Sequence, residues 1–524
     1  IILYERNRDT DNVTNKMVFK GNIEYLTENE ISIRLRATQQ NPSVLPAESL
    51  YAIEHDTMDT TFRSMYQGLY IYLSARKERR DLLLSQRPPR FDESLDSMIS
   101  RSEDDFTRIA LKAKAAQDYF LLIGPPGTGK TSCALKKMVE TFHADKDAQI
   151  LLLSYTNRAV DEICKSLASI APAVDFIRVG SELSCDEAYR RHLIENELSS
   201  CNRRSEVYER IRNCRIIVGT VAAISGKPEL FRLKHFDVAI IDEATQILEP
   251  QLLGILCARG EDGKDAIDKF VLIGDHKQLP AVVQQNTEQS AIYDESLLSI
   301  GLANLKDSLF ERLYRNCTAT VHRSYDMLCR QGRMHPEVAL FANRAFYGGR
   351  LIPVGLPHQI ESSDTICRLA FYPSVPEKAG ASAKINYSEA RIVADLAVRI
   401  YEDHQADFDE SRTLGIITPY RSQIALIKKE IESLGIPALN RILVDTVERF
   451  QGSERDVIIY SFCVNYPYQL KFLSNLTEEE GVLIDRKLNV ALTRARKQMF
   501  ITGVPELLER NPLYKSLLKL IESF

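Results

Sequence analysis

The sequence predicts an α/β protein of two tandem domains, each a parallel sheet with crossover helices, preceded by a small β unit and a helical stalk. Three observations carry that expectation. From Asp118 onward, the short apolar runs FLLIG, ILLLSY, FIRVG, RIIVGT, VAIID and FVLIG alternate with helical stretches, the pattern of parallel strands covered on both faces. The alternation pauses around residues 315–330 and resumes as TLGIITPY, ILVDTV, VIIYSF and MFITG, separated by helical stretches such as Glu389–Tyr401 and Gln423–Leu434. At 524 residues the chain is also roughly three to four times a typical domain length.

Along the chain, Met17–Ala37 comes first. Ile31, Ile33 and Leu35 alternate with Ser32, Arg34 and Arg36 after a polar turn at Thr27–Glu30, which predicts a β unit. Phe62, Met65, Tyr66, Leu69, Tyr70 and Leu73 then recur at three- and four-residue steps, the apolar face of a long helix. The most linker-like stretch is SQRPPRFDES, Ser85–Ser94, and serves as the first candidate boundary. The segment Gly180–Cys214, with Arg190, Arg191, Arg203, Arg204, Arg210 and Arg212, reads as a small helical accessory element. The expected domains are residues 1–100, 101–325 and 326–524.

Composition narrows the function classes. Hydrophobic residues make up 44% and charged residues 27%, which excludes disordered and fibrous chains. Ten cysteines without any C-x-x-C pair argue against a zinc or iron–sulfur site and against a disulfide framework. The apolar runs Tyr119–Ile123 and Val238–Ile241 fall far short of the ~20 residues that cross a bilayer. A reduced intracellular chain with no membrane contact is expected, cytoplasmic if bacterial, nuclear or cytoplasmic if eukaryotic. Lys and Arg number 67 against 72 Asp and Glu, so a nucleic-acid partner must be met by a local basic surface. The run Arg76, Lys77, Arg79, Arg80 reads first as a solvated helix face. No signal pattern follows Ile1, which leaves room for an upstream domain, a nuclease among the candidates.

Phosphate chemistry is written at Gly124–Thr131, GPPGTGKT, between an apolar strand and a helical segment. Gly124, Pro125, Pro126, Gly127, Thr128 and Gly129 let successive backbone N–H groups turn inward on a phosphate. Lys130 adds a point charge, Thr131 a hydroxyl for Mg²⁺, and Ser132 continues the cradle. VAIIDE ends in Asp242, a candidate metal ligand, and Glu243, a candidate base for the water attacking the γ-phosphate. GDHKQLP supplies Gln278, an amide able to bond both that water and the phosphate.

These motifs, followed by RMHP (Arg333–Pro336), ITPYRSQ (Ile417–Gln423), DTVERFQGSERD (Asp445–Asp456) and LNVALTRAR (Leu488–Arg496), resemble those of the superfamily 1 helicases, B type. SYTNRAVDEI (Ser154–Ile163) and GTVAAI (Gly219–Ile224) fall in the same order, so the resemblance runs from about Asp118 to Gly503. It implies two RecA-like domains behind a small β-barrel and stalk. It also implies arginine fingers at Arg333 and Arg494, cofactor contacts at Gly452 and Glu454, and nucleic-acid backbone contacts at Thr156, Asn157, Gly219, Thr220, Thr418, Pro419, Thr446 and Gln451. ATP or other NTPs with Mg²⁺ are the implied cofactors, and a monomer is expected.

Two base contacts depart from the pattern. Phe106 stands where relatives carry an adenine-reading glutamine, and Gly332 where they carry a stacking tyrosine, so weak base selectivity is expected. The function read from the sequence is an NTP-driven 5′-to-3′ translocase on single-stranded DNA that unwinds duplexes in replication or repair, with polarity taken from the resemblance alone. An RNA helicase or ribonucleoprotein remodeller, and a nucleotide-gated clamp with little unwinding, remain the alternatives.

Overall fold

The structure is a computed structural model that describes residues 1–35, 45–56, 60–320, 322–361, 366–377, 382–479 and 481–523. The chain divides into two compact units, Ile1–Arg63 and Ser64–Phe524. The first holds an antiparallel sheet of β1 (Ile2–Glu5), β2 (Val18–Leu26), β3 (Ile31–Leu35) and β4 (Tyr51–Glu54) in the order β3-β2-β1-β4. Its turn is where alternation breaks: Thr27 N–H donates to Glu30 O at 2.8 Å. Among the described residues this sheet is open between β3 and β4 and not a closed barrel. Arg36 and Ala37 lie outside the described residues.

The second unit carries two parallel sheets. The first comprises β5 (Tyr119–Ile123), β6 (Ile150–Ser154), β7 (Phe176–Val179), β8 (Ile216–Thr220), β9 (Phe236–Ile241), β10 (Ile267–Gly274) and β11 (Tyr325–Met327), in the order β11-β5-β10-β9-β6-β8-β7. After a short parallel pair, β12 (Arg330–Gln331) and β13 (Ile352–Pro353), the second sheet is built from β14 (Leu369–Pro373), β15 (Leu414–Ile417), β16 (Leu443–Asp445), β17 (Arg455–Ser461) and β20 (Ala495–Gly503), ordered β14-β20-β17-β15-β16. A hairpin of β18 (Leu476–Glu479) and β19 (Val482–Asp485) precedes β20.

The apolar runs form these strands because both faces must be covered. Leu121, Ile123, Leu151, Leu153, Ile241 and Leu272 pack into one core layer. Phe120, Leu122, Leu152, Ile240 and Ile273 pack into the other, following the two-residue alternation of side chains along a strand. In the second sheet Ile458, Tyr460 and Ile501 face one layer and Val457, Ile459 and Phe500 the other. The strand order places β10 between β5 and β9, so GPPGTGKT, the acid pair and GDHKQLP all leave one sheet edge side by side.

Four sequence expectations change in three dimensions. The helix Thr60–Ser74 leaves its apolar stripe exposed, with Tyr66 at 73%, Tyr70 at 74% and Leu73 at 67%. It docks through Gly68 instead, where an added Cβ would sit 2.4 Å from Pro250 O, with Ile71 and Tyr72 packed on the core beside it. The basic run is only in part a solvated face, with Arg76 and Lys77 exposed. Arg79 is 5% exposed and donates to Ile267 O, while Arg76 pairs with Asp265, so the stalk is bolted to the first parallel sheet and residues 64–100 belong with it. Ser85–Ser94 is no free linker either. Arg87 and Arg90 both clamp the buried Asp118 carboxylate at 2.8–3.1 Å, whose pKa lies below the usual range although burial alone would raise it. Tyr325–Met327 still pairs with β5, so the first sheet reaches two residues past the expected boundary.

Candidate active site

The phosphate loop turns on two left-handed glycines, Gly127 (φ +74°) and Gly129 (φ +76°), a conformation costly to any residue with a Cβ. The loop lies against the second lobe: Gly332 N–H donates to Gly127 O at 2.8 Å, and a Cβ on Gly127 would fall 2.4 Å from Arg333 Cβ. The Lys130 side chain folds back over Gly124, whose added Cβ would meet Lys130 Cγ at 2.0 Å. Pro125 O accepts from Thr128 Oγ1 at 2.7 Å, closing the loop internally.

Opposite the loop stand the acids. Asp242, 1% exposed at the end of β9, accepts Thr131 Oγ1 at 2.5 Å and Glu243 N–H at 2.9 Å. Its carboxyl lies above the ordinary carboxylate range, through burial first and then through the neighbouring Glu243 charge. Glu243 adopts φ +54°, a strained backbone for a residue with a side chain. Its Oε2 accepts Gln246 Nε2 at 2.8 Å.

Gln278 is 6% exposed and held at both ends. Its Nε2 donates to Asp275 Oδ2 at 2.8 Å, and its Oε1 accepts Arg494 Nη2 at 3.3 Å. Arg494, 2% exposed, also donates from Nε to Val490 O at 3.0 Å and from Nη1 to Ser453 O at 3.4 Å. Burial, then the neighbouring Arg333 charge, brings its pKa down to about 9. Arg333 pairs through Nε with Glu454 and donates from Nη1 to Thr493 O at 3.3 Å. Glu454, expected as a cofactor contact, is thus the counter-ion of Arg333. Burial pushes its carboxyl up, but the charges of Arg333 and Arg496 outweigh that and hold it down. Gly452 (φ +78°) offers its carbonyl to Arg158 Nη2 at 3.5 Å. Pro126 lies within the loop and Ser132 directly follows it. Phe106 Cζ stands 3.5 Å from where a Cβ on Gly129 would be, so its ring adjoins the loop.

The residues expected on nucleic acid gather at the C-terminal strand edges. Thr156 and Asn157 follow β6, and Gly219 and Thr220 end the adjacent β8, where Ser154 pairs with Thr220. Thr418 N–H donates to Asp445 O at 3.1 Å, next to Thr446, with Pro419 and Gln451 partly exposed nearby. Their side chains are not all available. Thr156 Oγ1 caps Ala159 N at 3.2 Å and Thr220 Oγ1 caps Ala223 N at 3.1 Å. Thr418 is fully buried, with an unpartnered hydroxyl. The Thr156 and Thr220 hydroxyls are thus engaged as helix caps, and the Thr418 hydroxyl is enclosed.

Sequence reasoning missed the polar network behind Gln278. Tyr347 OH donates to Asp275 Oδ2 at 2.7 Å, and Asn489 Nδ2 donates to Tyr347 OH at 2.8 Å and to Lys277 O at 2.7 Å. Further out, His276 meets Glu479 at 2.9 Å, and Glu311 pairs with Arg486 in the interior. Nothing local marks Tyr347, which sits at the end of an ordinary amphipathic helix, Pro336–Tyr347.

Comparison with known proteins finds relatives for both lobes. AAA-domain family models match residues 100–207 and 194–286, and again residues 305–506. The chain is 29% identical over 502 residues to the DNA replication ATP-dependent helicase/nuclease DNA2 of Gallus gallus, covering 91% of this chain and 45% of the relative. The corresponding helicase/nuclease JHS1 of Arabidopsis thaliana is 28% identical, over 97% of this chain and 38% of its own length. The DNA polymerase alpha-associated DNA helicase A of Saccharomyces cerevisiae is 24% identical over 87% of this chain and 73% of its own. The chain therefore spans less than half of the two helicase/nucleases named here. With AAA-domain models matching both lobes, and Arg333 set against Gly127 and Arg494 against Gln278 across the cleft, the chain belongs to the AAA-domain helicases matched above.

Proposed function

We propose that this chain is an NTP-hydrolysing, Mg²⁺-dependent translocase that moves 5′ to 3′ on single-stranded DNA and separates duplexes ahead of it, in DNA replication or repair. The observation that carries the reading is the convergence of Arg333 and Arg494, from the second lobe, on Gly127 and Gln278 of the first. Charge developing on a γ-phosphate is neutralised best by guanidinium forks aimed from across a cleft. Opening that cleft removes them, so nucleotide state and lobe spacing become one variable.

Asp242 and Thr131 fit a divalent cation: a carboxylate 1% exposed, bonded to a hydroxyl and held above its usual pKa, is a group that gains from a positive ligand. Those two residues would hold Mg²⁺, which supplies charge neutralisation at the phosphates when bound. The chain's own groups do the rest. Backbone N–H groups of Gly127–Thr131 and the Lys130 ammonium bind and orient the phosphates. Glu243, at the mouth of the site, takes the proton of the attacking water. Gln278 positions that water, once its carbonyl is released by Arg494.

DNA is favoured over RNA because the relatives named above are DNA helicases. The test is phosphate release with and without single-stranded DNA. Glu243→Gln is expected to slow turnover by roughly 10²–10⁴-fold while nucleotide binding persists. An unchanged rate would remove Glu243 as the base and the mechanism with it.

A further inference from the structure

In the second lobe Gly452, Glu454 and Arg494 lie on loops that precede β17 and β20, and Arg333 follows β12. At the opposite edge, after β17, stands a group of aromatic rings that neither the core nor the nucleotide site uses. We propose that Tyr466, Tyr468 and Phe472 form a stacking platform for the bases of single-stranded nucleic acid, beside the turn Thr418–Tyr420. The proposal rests on the reading of the chain as a nucleic-acid translocase.

The segment has two faces. Gln469 (2% exposed), Leu470 (9%) and Leu473 (3%) point inward, while Tyr468 (54%) and Phe472 (71%) point out with Lys471. The Tyr466 and Tyr468 rings lie 5.7 Å apart at 16°, nearly parallel, and Phe472 stands edge-on to Tyr468 at 6.5 Å and 80°. These rings are not loose. Gln469 Oε1 accepts Asn465 N–H and Tyr466 N–H, each at 2.9 Å, and Gln469 Nε2 donates to Ala383 O at 2.8 Å and to Tyr420 OH at 3.0 Å. One buried amide thus ties the aromatic segment to the turn carrying Thr418 and Pro419. Rigid rings stack at low entropic cost, and stacking is indifferent to base identity.

Position and charge favour nucleic acid over another occupant. The platform continues the strand-edge line of Thr418, Pro419 and Thr446. Lys471, Arg421 and Lys384 are exposed around it, the cationic border that a phosphate backbone needs. The strand-edge residues touch only phosphate and ribose in the reading above, and the Thr418 hydroxyl is buried.

The experiment compares the chain's affinity for labelled oligothymidylate and for an abasic oligonucleotide of equal length, at one fixed salt concentration. Variants are the double substitution Tyr468→Ala with Phe472→Ala and the double substitution of both to Trp. The alanine pair is expected to weaken oligothymidylate binding on the order of 10–100-fold and leave abasic binding unchanged, while the tryptophan pair keeps full affinity. Equal oligothymidylate affinity for wild type and the alanine pair overturns the platform, as does an equal loss on both oligonucleotides. A wild-type dimer that the alanine pair dissolves at unchanged affinity assigns the face to a second copy instead. If the wild type binds neither oligonucleotide, the translocase reading falls first.

Discussion

At the scale of single residues, the amide of Gln278 can turn toward a phosphate only if its neighbours let it. Asp275 receives both Gln278 Nε2 and Tyr347 OH on one oxygen, Oδ2, so a tyrosine of the second lobe helps fix the orientation of a first-lobe sensor. Tyr347→Phe is expected to lower kcat for hydrolysis by roughly tenfold at near-constant KM, with a stability loss of about 1 kcal/mol. Stopped-flow phosphate release and thermal melting separate the two; a loss of stability with kcat unchanged would leave Tyr347 a purely structural group. A second residue-scale outcome concerns the base. Phe106 adjoins Gly129, and Gly332 offers no ring. Hydrolysis of ATP, GTP and CTP is expected with kcat/KM values within about tenfold of one another; strict adenine preference would show that other contacts read the base. Lys130, Asp242, Glu243 and Gln278 were legible because phosphate chemistry demands them at fixed spacing after strands. Tyr347 and Asn489 were not, because their roles exist only where lobes meet.

Elements carry their own constraints. The helix Tyr387–Asp403 begins with Asn386 as its cap and buries Glu389 in its first turn, where the carboxylate accepts Ser461 Oγ at 2.6 Å and Cys463 N–H at 2.8 Å. Burial still raises its pKa to about 7. The folded chain therefore keeps a proton that the unfolded chain has already lost, and stability falls as pH rises from about 4.5 to about 7. Glu389→Gln keeps the hydroxyl and amide partners without the titration. Melting temperature is expected to flatten across that window and to gain most above pH 7; a profile parallel to wild type would mean that Glu389 stays ionised in the fold. The helix Thr60–Ser74 shows why element existence is easier to read than element orientation. Periodicity announces a helix, but the packed side sets Gly68 against Pro250 and Gly254, contacts nearly two hundred residues away in sequence.

For the whole molecule, the proposed function is a relation between two lobes. Unwinding of duplexes with a 5′ single-stranded tail is expected, with little on 3′-tailed duplexes, and more on DNA than on RNA; efficient unwinding from 3′ tails would reverse the assigned polarity. The buried Glu311–Arg486 pair, the His276–Glu479 pair and the Asn489 bond to Lys277 O bind the lobes at points flanking the sensor, so cleft motion must rearrange them. By itself the sequence determined the α/β class and the two sheets, and it marked the residues proposed for phosphate, acid and sensor roles, since strand periodicity and phosphate chemistry are local and leave fixed spacings. Only the tertiary structure decided which helix face packs, that Glu454 neutralises Arg333, that Thr418 is buried, and which side chains stand behind Gln278. Those are outcomes of packing between segments far apart in the chain, and no local pattern encodes a partner's distance.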